Sequence, residues 1–134
     1  MRRDIEFPKV TDIAMAVVKE TTEDSDHDWR VYLLNMNMEP LIGVLVAAKG
    51  YGEKDGERVR TSTLRHFFES VPAKSAISIE PLQNTVLGLS NEFWVSFYLG
   101  STIYDKKYVF VAESITENNL ISLPMLDKKG VMIQ

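Results

Sequence analysis

One short stretch of the sequence concentrates positive charge: Arg58, Arg60 and Arg65, followed by His66. Residues two apart in an extended segment project to the same side, so Arg58 and Arg60 would share a face. Guanidinium groups bind carboxylates and phosphates through paired hydrogen bonds, and neighbouring aromatic rings can stack on bases. We therefore predict weak anion binding by Arg58, Arg60 and Arg65, for an acidic peptide, a phosphate or single-stranded nucleic acid. The competing interpretation is a solvated cluster, or ion pairs of little energetic value with Glu53, Asp55, Glu57 and Glu69.

A second group of candidate residues is aromatic. In the run from Phe93 to Leu99, Trp94 and Tyr98 fall on the side opposite Phe93, Val95, Phe97 and Leu99. Tyr104 or Tyr108 could join them across a hairpin. Because Trp and Tyr are enriched at the centres of protein interfaces, we predict a partner-binding surface formed by Trp94, Tyr98 and Tyr108. The alternative is that the C-terminal tail folds back and covers these rings with Leu120, Leu123, Met125 and Leu126.

Three aspartates at alternate positions, Asp24, Asp26 and Asp28, resemble the start of a calcium-binding loop. The remainder of that motif is missing, since Trp29 stands where the tight-turn glycine belongs and Asn35 where a bidentate glutamate is needed. We interpret the run as a solvated acidic loop and predict no metal site.

A glycine-rich segment from Gly50 to Glu57 could suggest a phosphate-binding loop, but Glu57 follows its last glycine where such a loop needs Lys and then Ser or Thr. We interpret it as an exposed connection between strands. The sequence also has no Gly-x-Ser-x-Gly elbow, no cysteine, and two histidines. We therefore predict no catalytic residues and no cofactor.

The elements that must position these residues are β-strands. Strand-like runs of apolar and β-branched residues begin at Ile13, Trp29, Leu41, Arg58 and Ala76, with turn residues between them. The apolar run from Phe93 returns as a strand over Tyr108 to Ala112, and Gly100, Ser101 and Asp105 supply the turn. About seven strands at spacings near ten residues predict an all-β fold, an antiparallel β-sandwich of the immunoglobulin or fibronectin type III kind. A small barrel is the main alternative.

The whole-chain properties bound the function. The 134 residues, 45% hydrophobic and 25% charged, fit one globular domain over residues 1–134, with an N-terminal arm at 1–9 and a tail at 114–134. The formal net charge of -4 disfavours non-specific binding to nucleic acid or anionic lipid, so a nucleic-acid role would need a local basic patch. No run approaches the roughly 18 apolar residues of a membrane span. We expect a cytoplasmic protein that does not enter membranes.

Five blocks of the sequence carry a resemblance to a known family: YGEKDGE at 51–57, LRHF at 64–67, EFWVSFY at 92–98, YDKKYVF at 104–110 and KKGVMI at 128–133. The chain resembles a family of short Bacteroidetes-like bacterial proteins, some of which are labelled as phenylalanyl-tRNA synthetase subunits. The blocks are not chemical motifs, so no catalytic residue is transferred. The resemblance implies an accessory domain associated with tRNA or with an aminoacyl-tRNA synthetase.

These observations favour a non-catalytic binding or structural module that contacts a protein partner or a second copy of itself, as a homo-oligomer, through the aromatic residues. The accessory domain for tRNA or its synthetase is the alternative, and a carboxylate-dependent enzyme is the third.

Overall fold

The computed structural model describes residues 10–20 and 29–134, which contain ten β-strands and two 3-10 turns, at Asn84–Val86 and Glu117–Asn119. The strands are β1 (Ile13–Lys19), β2 (Trp29–Asn35), β3 (Leu41–Lys54), β4 (Glu57–Arg60), β5 (Leu64–Val71), β6 (Ser75–Leu82), β7 (Ser90–Leu99), β8 (Thr102–Phe110), β9 (Ile121–Ser122) and β10 (Lys129–Ile133). The N-terminal arm at 1–9 and the aspartates Asp24, Asp26 and Asp28 lie outside the described residues.

The strands form two antiparallel sheets that pack against each other. The first sheet has the order β6-β2-β1-β10-β9. In the second sheet β3 lies between β7 and two shorter partners, because its first part pairs with β5 and its last part with β4; β8 completes the sheet beside β7. The predicted β-sandwich is confirmed, and its immunoglobulin-like character stays a prediction.

The core lies between the inner faces of the two sheets. Met15, Val17 and Leu33 of the first sheet are fully buried, as are Val44 and Val95 of the second. Two ring pairs add to it: Phe93 with Phe110, edge to face at 6.0 Å between centroids, and Phe97 stacked on Tyr104 at 5.5 Å. Burial of apolar side chains on this scale is the main stabilising contribution to such a domain.

The hairpin of β7 and β8 turns tighter than we predicted. Only Gly100 and Ser101 connect the strands, with Gly100 at a φ of 62°, and Leu99 lies directly opposite Thr102. Two-residue turns of this type match the natural twist of paired strands and need a residue that accepts positive φ. The predicted start of the return strand at Tyr108 is therefore wrong, because β8 begins six residues earlier.

The glycine-rich segment is also different from the prediction. Most of it belongs to β3, which continues to Lys54, and the chain then reverses through Asp55 and Gly56, with φ values of 54° and 80°. Asp-Gly is a preferred pair for such turns because both positions take positive φ. The predicted loop from Gly50 to Glu57 is therefore an extended hairpin. The predicted strand that begins at Arg58 is divided into β4 and β5, and together with β9 and β10 of the tail this raises the strand number from about seven to ten.

The C-terminal tail pairs with the first sheet. β10 lies between β1 and β9. At Gly130, strands β1 and β10 come so close that an added Cβ would lie 2.8 Å from the Val17 carbonyl oxygen. The segment between β9 and β10 then covers the outer face of this sheet. A second apolar cluster forms there, in which Leu123 and Leu126 of the tail pack with Ala14, Ala16, Val18, Leu34, Tyr32, Met36, Ala76 and Met132.

Edge strand β8 carries an inward-facing cation. Lys106 lies directly opposite Val95, a core residue, and its side chain is partly buried. Its Nζ lies 5.1 Å from the centroid of the Tyr108 ring, within the range of a cation–π contact.

Candidate functional site

The outer face of the second sheet carries a contiguous group of exposed apolar side chains. Six of its large hydrophobic residues are between 45% and 60% exposed. We name this group the open face, and it consists of Ile42, Leu45, Phe67, Trp94, Tyr98 and Ile103.

Strand register explains why these residues adjoin one another. Tyr98 pairs with Ile42 on one side and with Ile103 on the other, and Phe67 pairs with Leu45. Directly paired residues in antiparallel strands share a face and lie within contact distance of their neighbours. Given roughly 150 to 250 Å² for each aromatic side chain, the half-exposed group presents about 500 Å² of apolar surface. That is near the upper end of the patches that monomeric proteins show, and patches of this size are often functional.

Trp94 and Tyr98 lie on the side of β7 that alternation predicted, opposite the buried Phe93, Val95 and Phe97. The alternative, in which the C-terminal tail covers them, is wrong, because Leu123 and Leu126 pack on the other sheet. Strand alternation fixes the face of each residue, but the destination of a tail depends on tertiary packing.

Tyr108 does not belong to this surface, and the prediction that it joins Trp94 and Tyr98 is wrong. The two-residue turn places Tyr108 directly opposite the core residue Phe93, so it points inward and is only 2% exposed. Its hydroxyl donates a hydrogen bond to the Ile13 carbonyl oxygen at 3.3 Å. Burial raises the pKa of the Tyr108 phenol far above its usual range. Tyr104 points inward as well and stacks on Phe97.

The three candidate arginines lie on the same outer face as the aromatic residues. Arg60 pairs with Tyr51, Arg58 with Glu53 and Arg65 with Ala47, whose other neighbour is Trp94. All three arginines are exposed, and none forms an ion pair with any residue that the structure describes. Among the described residues, the predicted alternative of pairing with nearby carboxylates is therefore not realised.

His66, which the sequence groups with the arginines, lies on the opposite side of β5. It pairs with Val46 of the core, and its Nε2 lies 2.8 Å from Oε1 of Glu80 on β6. The basic cluster of the sequence is thus divided, with three arginines outside the sandwich and the histidine between its two sheets.

A buried carboxylate on the outer face was missed by the sequence analysis. Glu92 is only 7% exposed, and its oxygens lie 3.6 Å from Lys49 Nζ and 3.9 Å from Lys107 Nζ. Tyr51 donates a hydrogen bond to Glu92 at 3.3 Å, and burial together with this carboxylate raises the pKa of the Tyr51 phenol. Alternation along β7 could have placed Glu92 on the same face as Trp94. Its burial could not be predicted, because the residues that contact it, Lys49, Tyr51 and Lys107, belong to other strands.

The cations of Lys49 and Lys107 extend the charge of this face. Lys107 pairs directly with Trp94, and its Nζ lies 5.9 Å from the indole centroid. With Arg58, Arg60 and Arg65, these two lysines make five cations on this face, against the four carboxylates of Glu53, Glu69, Glu92 and Asp105, on a chain whose formal net charge is -4. The surface is therefore apolar at its centre and charged along its margin, with cations in slight excess.

Comparison of the chain with models of protein families, with curated proteins and with solved structures finds no match. The resemblance to proteins labelled as synthetase subunits stays a prediction. In the described part of the chain, no helix has the length and hydrophobicity to cross a membrane. Within residues 10–20 and 29–134, no cluster of three or more His, Asp or Glu side chains could hold a metal ion.

Proposed function

We propose that this chain is a non-catalytic protein-binding module of the cytoplasm, and that the open face is its binding surface. The partner it fits presents apolar side chains bordered by carboxylates. The exposure of six large, adjacent apolar side chains on the outer face of the second sheet carries the proposal.

Size and composition both support a protein partner. Specific interfaces bury about 800 Å² on each side, with an apolar centre and a polar margin. The roughly 500 Å² of apolar surface would form such a centre, and the charged residues beside it would form the margin. The aliphatic residues Ile42, Leu45 and Ile103 favour a protein over a nucleic acid, because bases stack on rings and not on branched aliphatic chains.

Charge selects among protein partners. Lys107 pairs with Trp94, Arg65 flanks the same Ala47 that Trp94 pairs with, and Lys49 lies two residues farther along β3. A margin with this excess of cations attracts carboxylates and repels a second positive surface, which sets the rate and specificity of association. A partner with an acidic border is therefore preferred over a second copy of the chain, whose face would present the same cations.

Site-specific photocrosslinking tests the proposal in cells. A benzophenone amino acid at position 94 should crosslink to a partner protein, whereas the same residue at position 38 should not. Met38 is the matched control because it is 80% exposed but lies in the loop before β3, beside Asp12 and Lys74, which are not residues of the open face. Crosslinked peptides of the partner should be rich in Asp and Glu.

Affinity for the purified partner then measures the role of each side chain. Trp94→Ala should weaken binding at least 30-fold, because truncation of an interface hot spot, a class enriched in Trp, costs about 2 kcal/mol or more. Met38→Ala should leave the affinity unchanged. Crosslinks to a second copy of the chain, together with a dimer in sedimentation, would show that the open face binds another copy of the chain and not a different protein. A monomer without crosslinks at position 94 would contradict the proposal.

The second candidate function is an accessory domain that contacts tRNA. It is favoured by one observation, the position of Arg58, Arg60 and Arg65 on the same face as Trp94. If these arginines neutralise three phosphates, affinity for tRNA should fall roughly 40-fold between 50 and 200 mM salt. The double variant Arg58→Glu, Arg60→Glu should abolish the binding. A tRNA affinity that neither salt nor charge reversal changes would exclude this candidate.

A further inference from the structure

The sandwich opens between its edge strands β5 and β6. A cleft of about 500 Å³ lies there, and small-molecule sites typically have volumes of about 300 to 1,000 Å³. Its lining includes Leu64 and His66 from β5 and Glu80 and Leu82 from β6, with Phe93 of β7 below them.

The position of Leu64 shows that the space between the sheets is not filled here. Leu64 pairs with Ala48, which belongs to the core, so its side chain points inward. Even so, Leu64 is 51% exposed. An inward apolar side chain with this exposure faces a space that the protein's own described residues do not close.

Backbone irregularities on both sides explain the opening. Thr61–Thr63 interrupt the edge between β4 and β5, with the Thr61 hydroxyl accepting a hydrogen bond from the Gly50 amide at 2.8 Å. Across the cleft, the pairing of β2 with β6 shifts register between Val31 and Tyr32. Bulges and breaks in register bend a strand locally, so neither edge runs straight along the cleft.

The cleft has an apolar floor and a polar mouth. Ala48, Ile79, Leu82 and Phe93 are all buried and form part of the core. At the mouth, His66 Nε2 and Glu80 Oε1 lie 2.8 Å apart, and Glu80 has little exposure. Oε2, the other carboxylate oxygen of Glu80, has no hydrogen-bond partner among the described residues and is therefore available as an acceptor.

We propose that this cleft binds a small, uncharged amphiphile with an aromatic or alicyclic body and a hydroxyl or aryl-amine N–H as its head group. The body would lie on the floor formed by Leu82 and Phe93, and the head group would donate a hydrogen bond to Glu80. An anionic head group is disfavoured, because the Glu80 carboxylate stands at the mouth. Lys49 also lines the cleft, but its Nζ lies 3.6 Å from Glu92 and is already paired with that carboxylate.

Two fluorescent probes with the same aromatic skeleton test this inference on the purified chain. N-phenyl-1-naphthylamine is uncharged and carries one N–H donor, and 8-anilinonaphthalene-1-sulfonate adds a negative charge. We expect saturable binding of one neutral probe per chain and at least tenfold weaker binding of the sulfonate. Glu80→Gln should reduce that difference, because it keeps the shape of the side chain and removes its charge.

A matched pair of substitutions on β5 locates the bound probe. Leu64→Trp fills the mouth of the cleft and should weaken binding of the neutral probe at least tenfold. Phe67→Trp, three residues along the same strand but on the outer face, should leave it unchanged. The probe is excited where tryptophan does not absorb. Should Leu64→Trp fail to fold, Ser62→Trp, at an exposed position of the rim, replaces it.

Several results would overturn the inference. Binding that Leu64→Trp and Ser62→Trp both leave unchanged would place the probe elsewhere. Binding that is lost in Trp94→Ala would place it on the open face. Equal affinities for the two probes would contradict the role of Glu80. The test uses neither a protein partner nor tRNA, so its outcome is independent of the proposed binding through the open face.

Discussion

The two sheets of the sandwich both have apolar outer faces, but only one of them is covered. On the first sheet, Ala14, Ala16, Val18 and Leu34 are all 0% exposed, because the tail folds over them. On the second sheet, the open face is half exposed. The comparison shows that apolar residues on an outer face do not by themselves identify an interaction surface, because the decisive fact is whether the chain supplies its own cover.

The cover of the first sheet is fastened by polar contacts as well as apolar ones. Glu20 accepts hydrogen bonds from Tyr32 at 2.8 Å and from Lys128 at 3.2 Å, and Arg30 lies 3.6 Å away. Partial burial alone would raise the pKa of Glu20, but the hydrogen bonds and the two cations outweigh it and lower the pKa. On the second sheet, Glu92 is instead satisfied by residues of the same face.

The largest expected change in stability is found by comparing one leucine from each outer face. Leu34→Ala should lower the free energy of unfolding by about 2 to 5 kcal/mol, because it leaves a cavity under the tail. Leu45→Ala on the open face should change it by about 0.5 kcal/mol or less. Urea unfolding of both variants provides the measurement. Equal losses would mean that the open face is as well packed as the covered one.

The next effect tests how closely the tail approaches the first sheet. Gly130→Ala should destabilise the fold by about 1 to 3 kcal/mol, as overpacking does, since its Cβ would lie 2.8 Å from the Val17 oxygen and 2.9 Å from Leu123 Cδ1. Gly88→Ala is the control, because nothing lies within 4 Å of its added Cβ. Urea unfolding in which the two alanine variants are equally stable would argue against this close approach.

The smallest effect concerns the carboxylate that fastens the tail. The pKa of Glu20 in the folded chain is below its ordinary value of 4.5, so the unfolded chain binds more protons as the solution is acidified. The contribution of Glu20 to the free energy of unfolding is therefore complete above pH 4.5, and it is lost as the pH falls through the pKa of Glu20 in the folded chain.

Measurement of unfolding as a function of pH checks this prediction. Glu20→Gln should be less stable than the parent chain by at most about 1 kcal/mol at neutral pH, and the difference should vanish in acid. Arg65→Gln, which removes a charge from the uncovered sheet, should show no such pH dependence. A difference for Glu20→Gln that persists in acid would show that the carboxylate charge is not what matters.

Local pattern predicts much of the fold. Alternation from Phe93 to Leu99 correctly separates core residues from Trp94 and Tyr98, because successive side chains of a strand point to opposite faces. The same pattern correctly places strands at Ile13, Trp29 and Leu41. The register of the hairpin was not predicted correctly, because the length of the turn was misjudged. The two-residue Gly100–Ser101 connection is what places Tyr108 opposite Phe93.

The site was less predictable than the fold, because it depends on contacts between distant segments. Nothing in the sequence near Leu123 indicates which of two apolar faces the tail will cover. Arg65 and Trp94 are far apart in sequence and meet only because both flank Ala47 on β3. His66 and Glu80 likewise meet because their strands form facing edges of different sheets.

Lys106 has a consequence for how copies of this protein can accumulate. An edge strand with free backbone groups invites another strand to add to it, and an inward-pointing charge is one way proteins prevent that addition. Any strand docked on β8 would have to bury the ammonium group of Lys106 more deeply, against Tyr108. The inward lysine therefore opposes growth into amyloid-like fibres along this edge.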